Sequence, residues 1–470
     1  MLEKEKNLRD IVEIVSIEER VPKDHLLRKI DTAVDFKAIY EIVQELYCPN
    51  NGRPSVDPVV LFKMVLIQHL YGIPSLRQTV RDIDMNLAYR WFLGYSINET
   101  IPHFATVSHN FIHRFKSETV EKVFQWILSE IEKAGYLSPE VVFVDATHIK
   151  ANANINKKCK QEIPNAARTY EKQLRKEINE DREEHGKKPF DDNSDKGTGE
   201  TKTITVSTTD PESGMFRKGE HKHCFAYGAH TVCDKNNFIL GVEVTPGNVH
   251  DSRVFDAVYD RAIARFPQIE VVTADAGYKT PWICKKVLDD GRLISLPYKR
   301  PMTKKDNHEW YKYVYDEYYD MVICPEYSEL VYTTTNKDGY REYKSNPNVC
   351  KNCPTLQKCT ESKNYQKLKA IHIWHEYIER AEDIRHSDIG KETYGMRSQT
   401  IERVFADAKE KHAMRYTQYR GLKQVTNWVK LKYATMNLKK LAMWKAKASL
   451  SFFKISLFVN ISRLNPISVT

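Results

Sequence analysis

Three acidic residues in this chain stand where phosphoryl chemistry would need them. Asp145 ends the apolar run Val141-Val142-Phe143-Val144, and Asp275 ends Ile269-Glu270-Val271-Val272-Thr273-Ala274. Short β-branched runs of this kind read as strands buried on both faces. An acid at the end of such a strand is costly unless it is paired, solvated or bound to a cation. Either aspartate alone reads as a cap at a solvent-facing turn. The repeated pattern points instead to a divalent-cation site shared by neighbouring strands. Glu402 is the candidate third carboxylate. It lies in a segment where Ile401, Val404, Phe405 and Ala408 form an apolar helical stripe, and Lys409 falls within roughly 20° of its face. Three such acids can hold two ions, Mg²⁺ or Mn²⁺, roughly 4 Å apart and support in-line displacement at phosphorus.

Positioning these acids requires a sheet. Strands are expected at Thr203–Ser207, Cys224–Val232 and Phe238–Thr245, with Cys233–Asn237 as a hairpin link. Pro246 to Ser252 then turns into a helix over Val254–Ala264, capped by Asp251 or Ser252. The Asp275 strand, a helix over Pro281–Leu288 and a strand over Leu293–Leu296 follow. Antiparallel strands, a helix and a parallel strand give an α/β mixed sheet in the order of a ribonuclease-H-like core. That core is expected over 136–154 and 203–297, completed by a helical C-terminal part, 371–450, which carries Glu402. Residues 155–202 read as a charged insertion, helical over Tyr170–Ile178 and loop-like from Lys187 to Thr203, a solvated excursion. Residues 298–370 form a second, cysteine-containing insertion.

Ahead of the core, residues 1–135 read as an all-α domain that could contact DNA. A turn at Asn51-Gly52-Arg53-Pro54 precedes a helix capped by Asp57-Pro58 and ended by Gly72-Ile73-Pro74. Ser75 caps a second helix over Leu76–Ile83, and apolar helical segments follow at 87–94 and 106–115. Arg77, Gln78, Thr79 and Arg81 on the second helix could form a helix-turn-helix reading head; a plain bundle with a solvated polar face is equally open. The tail, 451–470, begins in the apolar stretch Leu450–Phe458 and reads as a packed terminal element.

At 470 residues the chain is long enough for about three domains, and its 41% apolar and 29% charged content is globular. No apolar run is long enough to span a membrane, and the amino terminus lacks the apolar core of a signal peptide. A soluble, cytoplasmic protein is therefore expected. The net charge is +9, but from Arg397 to Lys454 there are fourteen Lys/Arg against three acids, a local excess that suits a polyanion. Lys409, Lys411, Arg415, Arg420, Lys423, Lys430 and Lys432 are candidate backbone contacts, about half of them expected to touch DNA. Nine cysteines, without an export signal, argue for reduced thiols or a metal site. Cys350 and Cys353, spaced as a zinc-binding pair, can complete a four-sulfur structural site with Cys324 and Cys359; four free thiols are the alternative.

Together these motifs resemble bacterial insertion-sequence transposases of the DDE superfamily, in particular the insertion sequence family eleven-eighty-two. The resemblance rests on Gly52-Arg53-Pro54 to Gly94-Tyr95, Val144-Asp145-Ala146-Thr147, Thr245-Pro246-Gly247-Asn248-Val249-His250-Asp251 and Ala274-Asp275-Ala276-Gly277-Tyr278. It also rests on the Tyr394, Arg397, Glu402, Lys409 signature and on Arg415-Tyr416-Thr417-Gln418-Tyr419-Arg420-Gly421-Leu422. It implies Asp145, Asp275 and Glu402 as the metal-binding triad and Lys409 as a contact to transposon-end phosphates. Tyr394, Arg397, Arg415, Arg420, Arg77 and Arg81 are the further DNA-binding candidates. One spacing departs, since Arg397 stands five residues before Glu402 where the pattern has four. The implied partners are double-stranded DNA, as element terminal repeats and target, and a second copy of the chain assembled on that DNA. A nuclease that joins nothing and a catalytically silent DNA-binding protein are the alternatives.

Overall fold

The computed structural model describes residues 12, 14–48, 55–164, 169–191, 201–218, 222–301 and 307–464. The expected turn at 51–54 and most of the loop 187–203 lie outside the described residues. So do residues 465–470 and the side chains from Leu450 onward, and with them the expected packing of the tail.

Eight helices open the described chain: α1 (Ile17–Arg20), α2 (Leu26–Ala33), α3 (Ala38–Val43), α4 (Pro58–Leu70), α5 (Leu76–Met85), α6 (Leu87–Leu93), α7 (Phe104–His113) and α8 (Ser117–Lys133). Local chemistry sets their ends. Val59 N donates to Asp57 Oδ1 over 2.7 Å with Pro58 at the first helical position. Gln78 N donates to Ser75 Oγ over 3.2 Å. Asn86 caps α6, and Gly94 closes it at φ 78°, a left-handed turn that glycine adopts without strain. The sequence reading did not pick out α8, which buries Val120, Val123, Phe124, Ile127, Leu128 and Ile131.

A mixed sheet follows. Its elements are β1 (Val141–Lys150), β2 (Lys158–Pro164), α9 (Glu171–Glu184), β3 (Thr201–Ser207), β4 (Gly214–Lys218), β5 (Lys222–Asp234), β6 (Ile239–Pro246), α10 (Phe255–Arg265), β7 (Val271–Ala274), α11 (Pro281–Asp289) and β8 (Leu293–Ser295). The strand order is β2-β3-β4-β5-β1-β7-β8. The first part of β5 pairs with β4 and the rest with β6. β5 is antiparallel to β1 and to β6, whereas β1, β7 and β8 are parallel. The segment 155–202 is not a solvated excursion: β2 pairs with β3 along its whole length, and α9 buries Leu174 and Ile178 against Trp374. The strand Lys158-Cys159-Lys160-Gln161-Glu162-Ile163 lies at the sheet edge and is polar on both faces, so no alternation marked it in the sequence.

The cysteine-containing insertion is also a sheet, a separate antiparallel one. It comprises β9 (Val314–Asp316), β10 (Met321–Ile323), β11 (Glu329–Thr335), β12 (Tyr340–Ser345) and β13 (Leu368–His372), in the order β13-β12-β11-β10-β9. Tyr313, Val322, Leu330, Tyr343 and Ile371 form its core. Two single-turn helices, α12 (Pro347–Cys350) and α13 (Leu356–Cys359), interrupt it. The chain then runs through α14 (His375–His386), α15 (Asp388–Gly395), α16 (Ile401–Glu410) and the long α17 (Leu422–Leu464). α17 packs on α2, α4, α8 and β6, so one hydrophobic core is continuous from the first helices through the mixed sheet.

Candidate acidic site and its surroundings

Parallel pairing of β1 with β7 sets Val144 beside Ala274. The next residues of the two strands, Asp145 and Asp275, therefore come side by side. Gly277 N donates to Asp275 Oδ1 over 2.8 Å, and a Cβ at Gly277 would stand 3.0 Å from that oxygen, so the close turn calls for glycine. Ala146 N donates to Asp145 Oδ1 over 2.8 Å, and Arg397 Nη2 donates to Asp145 Oδ2 over 2.6 Å. Burial pushes the Asp145 carboxyl up to about 6; the Arg397 charge opposes this, and the Asp275 charge adds to it. The Arg397 guanidinium is buried, lies 5.6 Å from the Tyr394 ring, and has no hydrogen-bond partner at Nη1. It faces a carboxylate rather than solvent.

Sequence reasoning missed a fourth participant. Asp251, read there only as a helix cap, opens a 3-10 turn over Asp251–Arg253 just beyond β6. Burial raises its carboxyl, and the Asp275 charge raises it further. Behind it sits His230, fully buried on β5, whose Nε2 is 2.8 Å from Thr245 Oγ1 and whose Nδ1 is 3.6 Å from Asp251 Oδ1 without a hydrogen bond. Burial pushes this imidazole down to about 4, which keeps it neutral at pH 7. Tyr278 is 1% exposed and its hydroxyl has no partner, although it feels the charges of Asp251, Asp145 and Asp275. The available signal was a third acid shortly after an apolar strand.

Glu402 occupies the first turn of α16, whose buried Ile401, Val404, Phe405 and Ala408 hold the helix in place. α16 packs against β1. Glu402 itself is exposed, and no hydrogen bond or ion pair joins it to Asp145 or Asp275. Among the described residues, no three His, Cys, Asp or Glu side chains stand ready as a metal site. The donor chemistry nevertheless suits a hard divalent cation: desolvated carboxylates lie beside buried polar atoms that lack partners.

The basic residues divide by environment. Lys409 is half-buried on α16. Lys411 pairs with Asp407 at 2.8 Å, Arg415 with Glu410, and Lys430 with Glu121 at 2.5 Å. Arg420 Nε donates to Asn152 O over 3.0 Å, and Lys423 is exposed. Lys432 is not a surface cation. It is buried, donates to His412 O over 2.5 Å, and is pushed down to about 8 by that burial. In α5, Thr79 is buried and donates to Ser75 O, and Gln78 Nε2 donates to Asp82. The exposed basic face of α5 is therefore Arg77, lying 4.6 Å over the Phe104 ring, and Arg81.

Cys324, Cys350, Cys353 and Cys359 are free, half-buried thiols that line one enclosed cavity of about 20 Å³. That volume admits about one water or ion. The turn Cys353 N to Cys350 O, at 3.0 Å, brings the pair together, and Cys359 Sγ is 3.4 Å from Tyr313 OH. His308 lines the same cavity with a buried, unpartnered Nε2, and burial lowers its pKa. Nothing in its local sequence singled it out.

Comparison with known families gives the class. Residues 15–113 match the family model of a transposase domain (DUF772). Residues 323–442 match that of a transposase DDE domain, which spans β11 to β13, Glu402, Lys409 and the first half of α17. Over these two segments the chain is similar to transposases, the second of them of the DDE type. Both matches leave β1 and β7 outside, so the case for Asp145 and Asp275 rests on their geometry. No curated protein matches the chain.

Proposed function

We propose that the protein is a DNA transposase that binds the ends of its own element, within the insertion sequence family eleven-eighty-two, and catalyses DNA cleavage and strand transfer in the cytoplasm. The observation that carries this is the placement of Asp145 and Asp275 side by side on parallel strands, with the glutamate-bearing helix packed on the first of them. The mixed sheet is then a ribonuclease-H-like core, and the helices over 1–135 are the end-binding domain, with Arg77 and Arg81 toward DNA. Asp145, Asp275 and Glu402 would hold Mg²⁺ or Mn²⁺, which supplies activation of the attacking oxygen and stabilisation of the leaving one. Arg397 offsets the Asp145 charge inside the protein and gives it up when the site fills. Lys409, Arg415 and Arg420 hold phosphates along the C-terminal region, and Tyr394 supports Arg397. Two copies assemble on paired ends.

The cysteine cavity is a separate, structural zinc site in this reading, formed by Cys324, Cys350, Cys353 and Cys359. It fastens the turns of the five-stranded sheet and takes no part in the reaction.

A strand-transfer assay with the element's own terminal repeats tests the function. Asp145→Ala, Asp275→Ala and Glu402→Ala should each abolish cleavage and leave end binding largely intact, because affinity comes mostly from basic residues. Cleavage without joining would indicate a nuclease, and binding without cleavage by the wild type a silent DNA-binding protein.

A further inference from the structure

The expected triad draws one ligand from each of two strands and one from a distant helix. The mixed sheet offers a third acid of its own. β6 and β1 both run antiparallel to β5, so they run parallel to each other, as β1 and β7 do. The three strands therefore point the same way. Asp145 lies within β1, Asp275 immediately follows β7, and Asp251 follows the short turn after β6. The turns that begin at Asp251 and Asp275 pack against each other. The path of the β6 turn is tightly fixed: Gly247 N donates to Ala226 O over 2.8 Å, and a Cβ at Gly247 would stand 2.7 Å from that oxygen.

Two fully buried polar groups aim at this place and find no partner. The Tyr278 hydroxyl sits among the charges of Asp251, Asp145 and Asp275, and His230 Nδ1 faces Asp251. A protein interior seldom leaves such atoms unsatisfied unless the site takes up water or an ion. The only cation bonded to one of these three acids is Arg397, on Asp145, among the described residues.

The geometry points to Asp251 as a third carboxylate of the metal site, binding a divalent cation together with Asp145 and Asp275 before Glu402 and DNA engage. The inference rests on the transposase reading and adds to it a cation site that exists in the DNA-free protein. Asp145, Asp275 and Asp251 supply hard oxygen donors from one rigid sheet, and the Tyr278 hydroxyl is available to a water of the hydrated ion. Glu402, exposed on α16, then acts once substrate is present.

The test is Mn²⁺ binding to the full-length, DNA-free protein, followed by electron paramagnetic resonance of the free ion. Wild type is expected to bind Mn²⁺. Asp251→Asn should weaken that binding at least tenfold, as Asp145→Asn should, whereas Glu402→Gln should stay within about threefold of wild type. Asp251→Glu, which keeps the charge, should recover part of the affinity, and circular dichroism checks that each variant is folded. If Asp251 only shapes its turn, Asp251→Asn binds Mn²⁺ like wild type while Asp145→Asn does not, and the assignment is overturned. A Glu402→Gln variant as weak as Asp145→Asn overturns it as well. Wild-type protein that binds no Mn²⁺ without DNA yet cleaves element ends overturns the inference and leaves the transposase reading standing. No cleavage by a protein that binds Mn²⁺ through Asp251 has the opposite meaning.

Discussion

Arg397 and Asp145 are 252 residues apart in the chain, and Arg397 Nη2 lies 2.6 Å from Asp145 Oδ2. A buried arginine thus stands on a candidate catalytic carboxylate that burial alone would drive toward protonation. The pair explains how that acid is accommodated inside the sheet.

Arg397→Gln should therefore raise the Asp145 value above about 6. The folded-state value already exceeds the ordinary 3.8. In the window between them the folded protein keeps a proton that the unfolded chain has released, so this group's contribution to stability falls as pH rises through it. The variant extends the window upward. Its stability deficit should be on the order of 1–3 kcal/mol at neutral pH and shrink near pH 5, where a protonated Asp145 no longer needs the guanidinium. Urea unfolding at both pH values, without divalent cation, measures this; an equal deficit at both would detach Arg397 from the Asp145 charge.

The cysteine cavity makes a compositional prediction. Protein purified without chelators should carry about one zinc per chain, and Cys353→Ser should lose it. Metal analysis that finds no zinc, together with four freely titrating thiols, would favour the reduced-thiol alternative.

Lys409 shares the face of Glu402 on α16. Lys409→Ala should weaken binding to DNA of any sequence and reduce the slope of log affinity against log salt by about one unit, as loss of one phosphate contact does. Base preference should hardly change. A changed preference at an unchanged slope would mean that Lys409 reads a base edge.

Asn437 fastens the terminal helix to the sheet: its Oδ1 accepts from Ile239 N over 2.9 Å and its Nδ2 donates to Ile239 O over 2.8 Å. The residue is buried, so Asn437→Ala should strand two backbone groups and cost about 2–4 kcal/mol in denaturant unfolding. A loss below about 0.5 kcal/mol would mean that water replaces the amide.

Local chemistry decides some features by itself, and those were legible from the sequence. The apolar runs before Asp145 and Asp275 form buried strands because nothing else accommodates such runs so cheaply. Asp57-Pro58 and Ser75 mark helix starts through bonds made within a few residues. The Ile401, Val404, Phe405, Ala408 stripe specifies both α16 and its buried face. The polar strand β2 and the five-stranded sheet escaped because their pairing, rather than their patterning, makes them strands.

Sequence by itself determined which acids end buried strands and where positive charge accumulates. Only the tertiary structure decided which charges meet. Lys432 reads as one cation among many along the C-terminal region, but α17 carries it into the core, where it binds a backbone carbonyl. Arg397 reads as a DNA contact, and the fold turns it onto Asp145. Asp251 reads as a helix cap, yet three strands running in one direction bring it beside Asp275 and Tyr278. These outcomes depend on strand direction and burial, which set the dielectric and distance that govern electrostatics and which residue spacing does not encode.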